Sequence, residues 1–225
     1  PAYRVNDNNY GPLYLARRQF SRAKEEFSKI AMVDSKNPYA LAGLGAVCLL
    51  KRQYQQAKRY FLSALEIKKN LPYALLGLAK VEFSLKNLKK AKKLFCHCQT
   101  LQPLDPQVYY FLGRIYEKEK NFEEAALQYQ DAMRLGLNNL NIIKALLRVS
   151  SHIEKKDGIV EYAMARFWEF KKGFTHYRLH ASRYASHAAR NKLHVKRTRK
   201  LEKEIKGLEK VNKQIRVLER MVGKG

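Results

Sequence analysis

Apolar side chains in this chain return every three or four positions, interrupted at regular intervals by short polar turns. "YALAGLGAVCLL" (39–50) and "YQQAKRYFLSAL" (54–65) each place their apolar residues on one stripe of a 3.6-residue helix. The three-residue turn "KRQ" separates them, and "LKN" and "EKN" separate later pairs of the same kind. Pro38, Pro72 and Pro106 stand where a preceding helix must stop, in positions suited to the first turn of the next. The pattern predicts antiparallel pairs of helices, with no strands.

The pairs are copies of one another. Written in rows of 34, the sequence aligns Gly11, Gly45, Ala79 and Gly113 in one column, and Ala23, Ala57, Ala91 and Ala125 in another. A third column holds Phe27, Phe61, Phe95 and Tyr129, and a fourth Phe20, Tyr54, Leu88 and Phe122. Self-similarity at this period marks a stacked-repeat architecture. Small residues in the first two columns let the helices of a pair approach closely. The aromatic four residues after each Ala lies on the same face one turn on, and fills the space between them.

This arrangement resembles the tetratricopeptide repeat family, in which a small residue early in helix A meets an Ala, aromatic and small residue in helix B. The resemblance covers residues 4–137. It implies an all-α fold, a right-handed superhelix of helix-turn-helix repeats, whose concave wall comes from the A helices. Row one departs from the pattern, because Pro12 follows Gly11 where helix A should continue, so a short first helix is expected. Beyond Gly136 the columns fail, falling on Ile159 and Ala163. "NIIKALLRVSSHI" and "GIVEYAMARFWEF" still read as a helix pair, a degenerate cap closing the apolar end of the stack. The expected organisation is four repeats over 1–137, a capping pair over 138–172, and a basic helical, coiled-coil-like extension over 173–225.

By register, the wall implied by the resemblance carries Tyr39, Ala42, Gly43, Ala46 and Leu49 in row two. Row three supplies Tyr73, Leu76, Gly77, Lys80 and Phe83, and row four Gln107, Tyr110, Phe111, Arg114 and Lys118. That surface is apolar and aromatic with a basic end, suited to an extended peptide or a partner helix. Family members that hold chaperone C-termini use Lys, Asn, Asn, Lys and Arg at fixed A-helix positions. Those positions here are Asn8, Pro12, Gly43, Tyr73 and Gly77, or one row later Ala42, Ala46, Gly77, Gln107 and Phe111. Neither set makes such a clamp.

Charge changes the picture of partners. The chain has 45 Lys and Arg against 20 Asp and Glu, a formal net charge of +25, which favours an acidic partner, whether protein, membrane surface or nucleic acid. No apolar run approaches the ~20 residues needed to cross a bilayer, and neither a membrane span nor a secretory leader is expected. Three cysteines is an odd number, and Cys96 and Cys98 are too close to bridge without strain. A reducing, cytoplasmic location is expected, with a nuclear one as the alternative. The first residue is Pro1 rather than Met, as in a fragment or a chain trimmed of its initiator.

Other chemistry is sparse. There is no Gly-rich phosphate loop and no nucleophile motif, so no enzyme activity and no cofactor are expected. Cys48 and Cys98 fall on core columns and Cys96 beside that face. One intervening His does not complete a zinc tetrad, and no metal is expected. Trp168 reads as capping core, and Glu117, Glu119, Glu123 and Glu124 as a solvated acidic turn.

The C-terminal segment stands apart. From Lys171 to Gly225 there are 17 Lys and Arg against four Glu. His176, His180, Arg183, His187, Arg190 and His194 recur at helical spacing opposite Tyr177, Ala181, Tyr184 and Ala188. Arg178, Lys196, Arg197, Arg199 and Lys200 complete this basic arm. No carboxylate supports the histidines, so the arm fits phosphates or acidic side chains better than a metal. Leu201, Ile205, Leu208, Val211, Ile215, Leu218 and Val222 then form a coiled-coil-like stripe. That stripe is covered by a second copy through 201–222, by a partner, or by the repeats themselves. The sequence thus yields two functions. One is a non-enzymatic scaffold or adaptor in a multi-subunit assembly, with a peptide or helix in the groove and an acidic partner on the arm. The other is a nucleic-acid-associated repeat protein whose residues 176–200 contact phosphates without sequence preference.

Overall fold

In the computed structural model, the described residues are 10–153, 162, 163, 165–175, 209, 212–217, 219 and 220. Helices alternate with short turns: α1 (Gly11–Ala16), α2 (Phe20–Val33), α3 (Pro38–Leu50), α4 (Tyr54–Ile67) and α5 (Pro72–Ser84). They continue with α6 (Leu88–Leu101), α7 (Pro106–Lys118), α8 (Phe122–Arg134) and α9 (Leu140–Ser150). No strand occurs among the described residues, and residues 165–175 and 212–217 are also helical. The basic-arm residues named above, His176 to Lys200, lie outside the described residues.

The repeat period is written into the backbone as well as the side chains. Arg18, Arg52, Lys86 and Lys120, each 34 residues from the next, all adopt left-handed φ values of 56–65°. At each, the following N–H reaches back five residues, as in Gln53 to Cys48 at 2.9 Å and Asn87 to Glu82 at 2.9 Å. This helix-ending bond satisfies a carbonyl that the helix leaves open. At the other end of the pairs, the Asn37 side chain accepts from the N–H groups of Tyr39 and Ala40, both at 3.1 Å. Pro38 sits at the first helical position. Helix α1 is only six residues long, in keeping with Pro12 near its start.

The chain divides into two compact units, residues 1–115 and 116–225. In the first, Ala23, Ala57 and Ala91 are fully buried, and Phe27, Phe61 and Phe95 fill the helix interfaces. The glycines in the facing helices are there because the rings leave no room. A Cβ on Gly77 would lie 2.3 Å from the Phe61 ring, one on Gly45 would lie 2.9 Å from the same ring, and one on Gly43 would lie 2.4 Å from Phe27. Burial of Glu82 on α5 is compensated by Lys58 on α4 and by the Asn87 amide, each at 2.7 Å. Burial opposes its charge, but the hydrogen bonds from Lys58 and Asn87 outweigh this and hold the carboxyl below the usual range.

In the second unit Ala125 and Tyr129 continue the repeat columns, and both are buried. The Tyr129 hydroxyl donates to Glu117 at 2.8 Å, and Arg148 on α9 donates to the other Glu117 oxygen. Glu117 is therefore no part of a solvated acidic turn. It joins the end of α7 to α8 and α9, through a partner 31 residues along the chain. Phe167 is fully buried, whereas Trp168 is 48% exposed with the Lys171 ammonium 4.5 Å from its ring. Trp168 is thus surface, and its neighbour Phe167 is the core residue. Ile215 is 3% exposed, and Lys171 pairs with Glu219. At Ile215 the terminal apolar stripe is covered within the chain, beside residues 171–175, rather than left bare.

Candidate functional site

Two features of the first unit build a recognisable surface on helices α3, α5 and α7. The first is a notch. Leu15, Ala46, Leu49, Leu50, Tyr73, Leu76 and Lys80 surround a cavity of about 220 Å³ floored by Gly77 and Phe61. It exists because Gly77 allows Phe61 to lie flush against the α5 backbone, which leaves no side chain to fill the space above. Tyr73 stands at its rim, 47% exposed.

The second is a ledge produced by a substitution in the same column. Where rows two and three have Gly43 and Gly77, row four has Phe111. Its ring stacks on Phe95 at 5.1 Å and meets Phe83 edge-on at 5.4 Å and Tyr110 at 5.5 Å. Two cations approach this ring, the Lys80 ammonium at 5.7 Å and the Arg114 guanidinium at 5.9 Å. Arg114 also lies over Phe83 at 4.6 Å and Tyr110 at 5.8 Å, an aromatic seat that fixes its plane. Lys80 donates to the neutral Gln107 amide oxygen at 2.6 Å. Burial lowers the Lys80 pKa, and Asp105 offsets part of that.

The candidate wall residues fall into three environments. Tyr73 is exposed, and Lys118 lies exposed at the end of α7. Tyr39, Lys80, Tyr110 and Arg114 are half-buried, and the Tyr39 hydroxyl accepts from Lys68 at 2.8 Å. Leu76 and Phe83 are more than nine-tenths buried, Leu76 in the wall of the notch and Phe83 beneath the ledge. Ala42, Gly43 and Gly77 are buried, the two glycines beneath the preceding repeat's aromatic ring. Register alone counts the two glycines as wall surface because it does not show that covering ring. Residues from separate repeats are brought together at Phe111, where Lys80 and Arg114, 34 positions apart, share one ring.

The cysteines offer little chemistry. Cys48 and Cys98 are buried and Cys96 is exposed, all three as free thiols. Burial pushes the Cys98 thiol up to about 11, so it stays protonated at neutral pH. Among the described residues no three His, Cys, Asp or Glu side chains converge, and no helix is long and apolar enough to cross a membrane.

Residues 106–136 match the family model of the tetratricopeptide repeat, and the same helix pair recurs upstream with its columns intact. The fold of these helical pairs is that of tetratricopeptide repeats. Solved structures of similar fold include MamA from Desulfovibrio magneticus RS-1, with 20% identity and a TM-score of 0.60 over 73% of this chain and 93% of that one. PilF of Pseudomonas aeruginosa has 21% identity and a TM-score of 0.60 over 72% of each chain. YrrB, a tetratricopeptide protein described as having an unusual peptide-binding site, has 20% identity and a TM-score of 0.55 over 70% of this chain and 83% of that one. None of the curated protein sequences matches significantly. The notch and ledge lie on the first helices of these pairs, α3, α5 and α7.

Proposed function

We propose that this chain is a non-enzymatic adaptor that holds a peptide or helix of a partner protein against the A helices of its first unit. The observation that carries the reading is the notch beside Gly77, an open apolar recess with an exposed tyrosine at its rim. Recesses of this kind take one bulky apolar side chain, and a rim tyrosine adds contact area at low entropic cost. The likeness in fold to a repeat protein described by its peptide-binding site agrees with this. Under this reading residues 1–137 act as the binding module, residues 138–172 cap it, and residues 173–225 supply a basic arm for an acidic partner.

The experiment is a selection of displayed random dodecapeptides on the full chain, followed by affinity measurements with Tyr73→Ala. The side chain is half exposed, so the substitution lowers thermal stability only slightly while weakening selected peptides by ~1–3 kcal/mol. Selected peptides that bind Tyr73→Ala as tightly as the parent chain would place the binding surface elsewhere.

A further inference from the structure

We infer that the groove reads an acidic side chain as well as an apolar one: its partner segment carries Asp or Glu close to the apolar residue that fills the notch. The inference rests on the groove reading above and names the chemistry of its occupant. It stands on the juxtaposition of the notch with two cations around one aromatic ring. Lys80 lines the notch and also approaches Phe111, so the apolar recess and the charged ledge are continuous. Arg114 occupies the far side of the ledge, over Phe83, Tyr110 and Phe111.

Neither cation has a carboxylate within hydrogen-bonding distance among the described residues. Lys80 has the Gln107 amide, and Arg114 has only π faces. This contrasts with Glu82 and Glu117 nearby in sequence, each satisfied by a cation of its own. Arg114 seated on rings keeps its fork of N–H donors in a fixed plane, ready for two parallel bonds to one carboxylate. The partly desolvated Lys80 ammonium gains most from an anionic neighbour, since burial penalises its charge.

The surrounding field has the same sign. Within residues 10–115 there are 19 Lys and Arg and six Asp and Glu, whereas residues 116–153 hold five of each. The excess positive charge of the repeats thus lies in the unit that contains the ledge, and it steers acidic segments toward it. A basic peptide would meet repulsion at the same place. The positions differ from the chaperone-binding clamp, whose sites here hold no Lys or Arg.

The test uses the full chain and a displayed random dodecapeptide library, selected in parallel on the parent protein, Lys80→Met and Arg114→Gln. Circular dichroism of each variant provides the folding control. Enriched peptides from the parent should pair a bulky apolar residue with an Asp or Glu within a few positions. Synthetic copies should lose roughly tenfold in affinity when the acid is replaced by its amide, and should lose that discrimination in Lys80→Met or Arg114→Gln. Apolar enrichment without an acidic preference would overturn the inference while leaving the groove reading intact. An acidic preference unchanged in both variants would also overturn it, because the carboxylate would be read elsewhere on the basic surface. A library with no enriched peptide, or peptides indifferent to Tyr73→Ala, would remove the groove and the inference together. Should Arg114→Gln fail to fold, Lys80→Met decides alone, since Lys80 contributes one amide hydrogen bond and no ion pair.

Discussion

Replacing Gly77 with alanine adds one methyl group in the middle of α5, and two effects of opposite sign compete. Helix propensity favours the change by about 0.8–1.0 kcal/mol. Packing opposes it, because the new Cβ would lie 2.3 Å from Cζ and 2.4 Å from Cε1 of Phe61. Ordinary carbon contacts begin near ~3.5 Å, so the ring has to retreat by about 1 Å. Phe61 is 1% exposed, and its retreat is blocked by α3, where the absent Cβ of Gly45 would itself lie 2.9 Å from the ring. Overpacking in such a site costs about 1–3 kcal/mol or more. The expected net effect is a loss of about 1–2 kcal/mol after the propensity gain is subtracted. Gly173 is the internal control, since a Cβ there meets nothing within 4 Å. Its alanine variant should gain up to about 1 kcal/mol. Urea denaturation followed by circular dichroism measures both, and the double variant Phe61→Leu with Gly77→Ala should recover part of the loss through coupling. A Gly77→Ala protein more stable than its parent would refute the wedge of Phe61 between α3 and α5.

Three further outcomes follow from the same packing. Glu82→Gln should destabilise by about 1–2 kcal/mol at pH 7, the worth of a charged hydrogen bond partly retained by the amide. Because the native Glu82 pKa is lowered, its stabilisation is fully present above the ordinary glutamate value of ~4.3 and is lost as pH falls from there through the lower native value. The gap between parent and variant in urea titrations should therefore close in acid, and a gap that widens would contradict the buried pair. Tyr129→Phe removes a hydroxyl donor to Glu117 and should cost about 1–2 kcal/mol by thermal denaturation; an unchanged melting temperature would argue against that junction. Arg52→Gly relieves a left-handed residue and should raise stability by about 0.5–1 kcal/mol, less than the full ~1–2 kcal/mol of strain because glycine also loosens the unfolded chain. A destabilised variant would mean that the arginine makes contacts worth more than the strain.

The repeat was legible because it is a property of spacing. Ala57 and Phe61, or Ala91 and Phe95, declare a helix pair through residues four apart, and the columns repeat that declaration every 34 positions. What surrounds a column residue is another matter. Gly43 and Gly77 look like gaps in a concave wall when counted by register, yet Phe27 and Phe61 from the preceding repeats lie across them. The exception in that column, Phe111, has no glycine's vacancy to offer and instead raises the ring that Lys80 and Arg114 share. Glu117 defeated local reading for a different reason. Its neighbours Glu119, Glu123 and Glu124 suggest a solvated turn, while the donor that holds it, Arg148, comes from another helix. Trp168 and Phe167 show the same limit at one-residue scale, since a shift of about 100° around a helix exchanges core for surface.

The central claim, that a partner segment lies along the A helices of the first unit, is tested most directly by site-specific photo-crosslinking. A benzophenone amino acid is placed at Tyr73, on the rim of the notch, or at Leu62, exposed on the outer helix α4. Each full-length protein is irradiated with a selected dodecapeptide at equal occupancy, and the adducts are mapped by mass spectrometry. Adducts from position 73, competed away by unlabelled peptide and absent from position 62, are the predicted result. Equal crosslinking from both positions, or crosslinking from 62 alone, would contradict it.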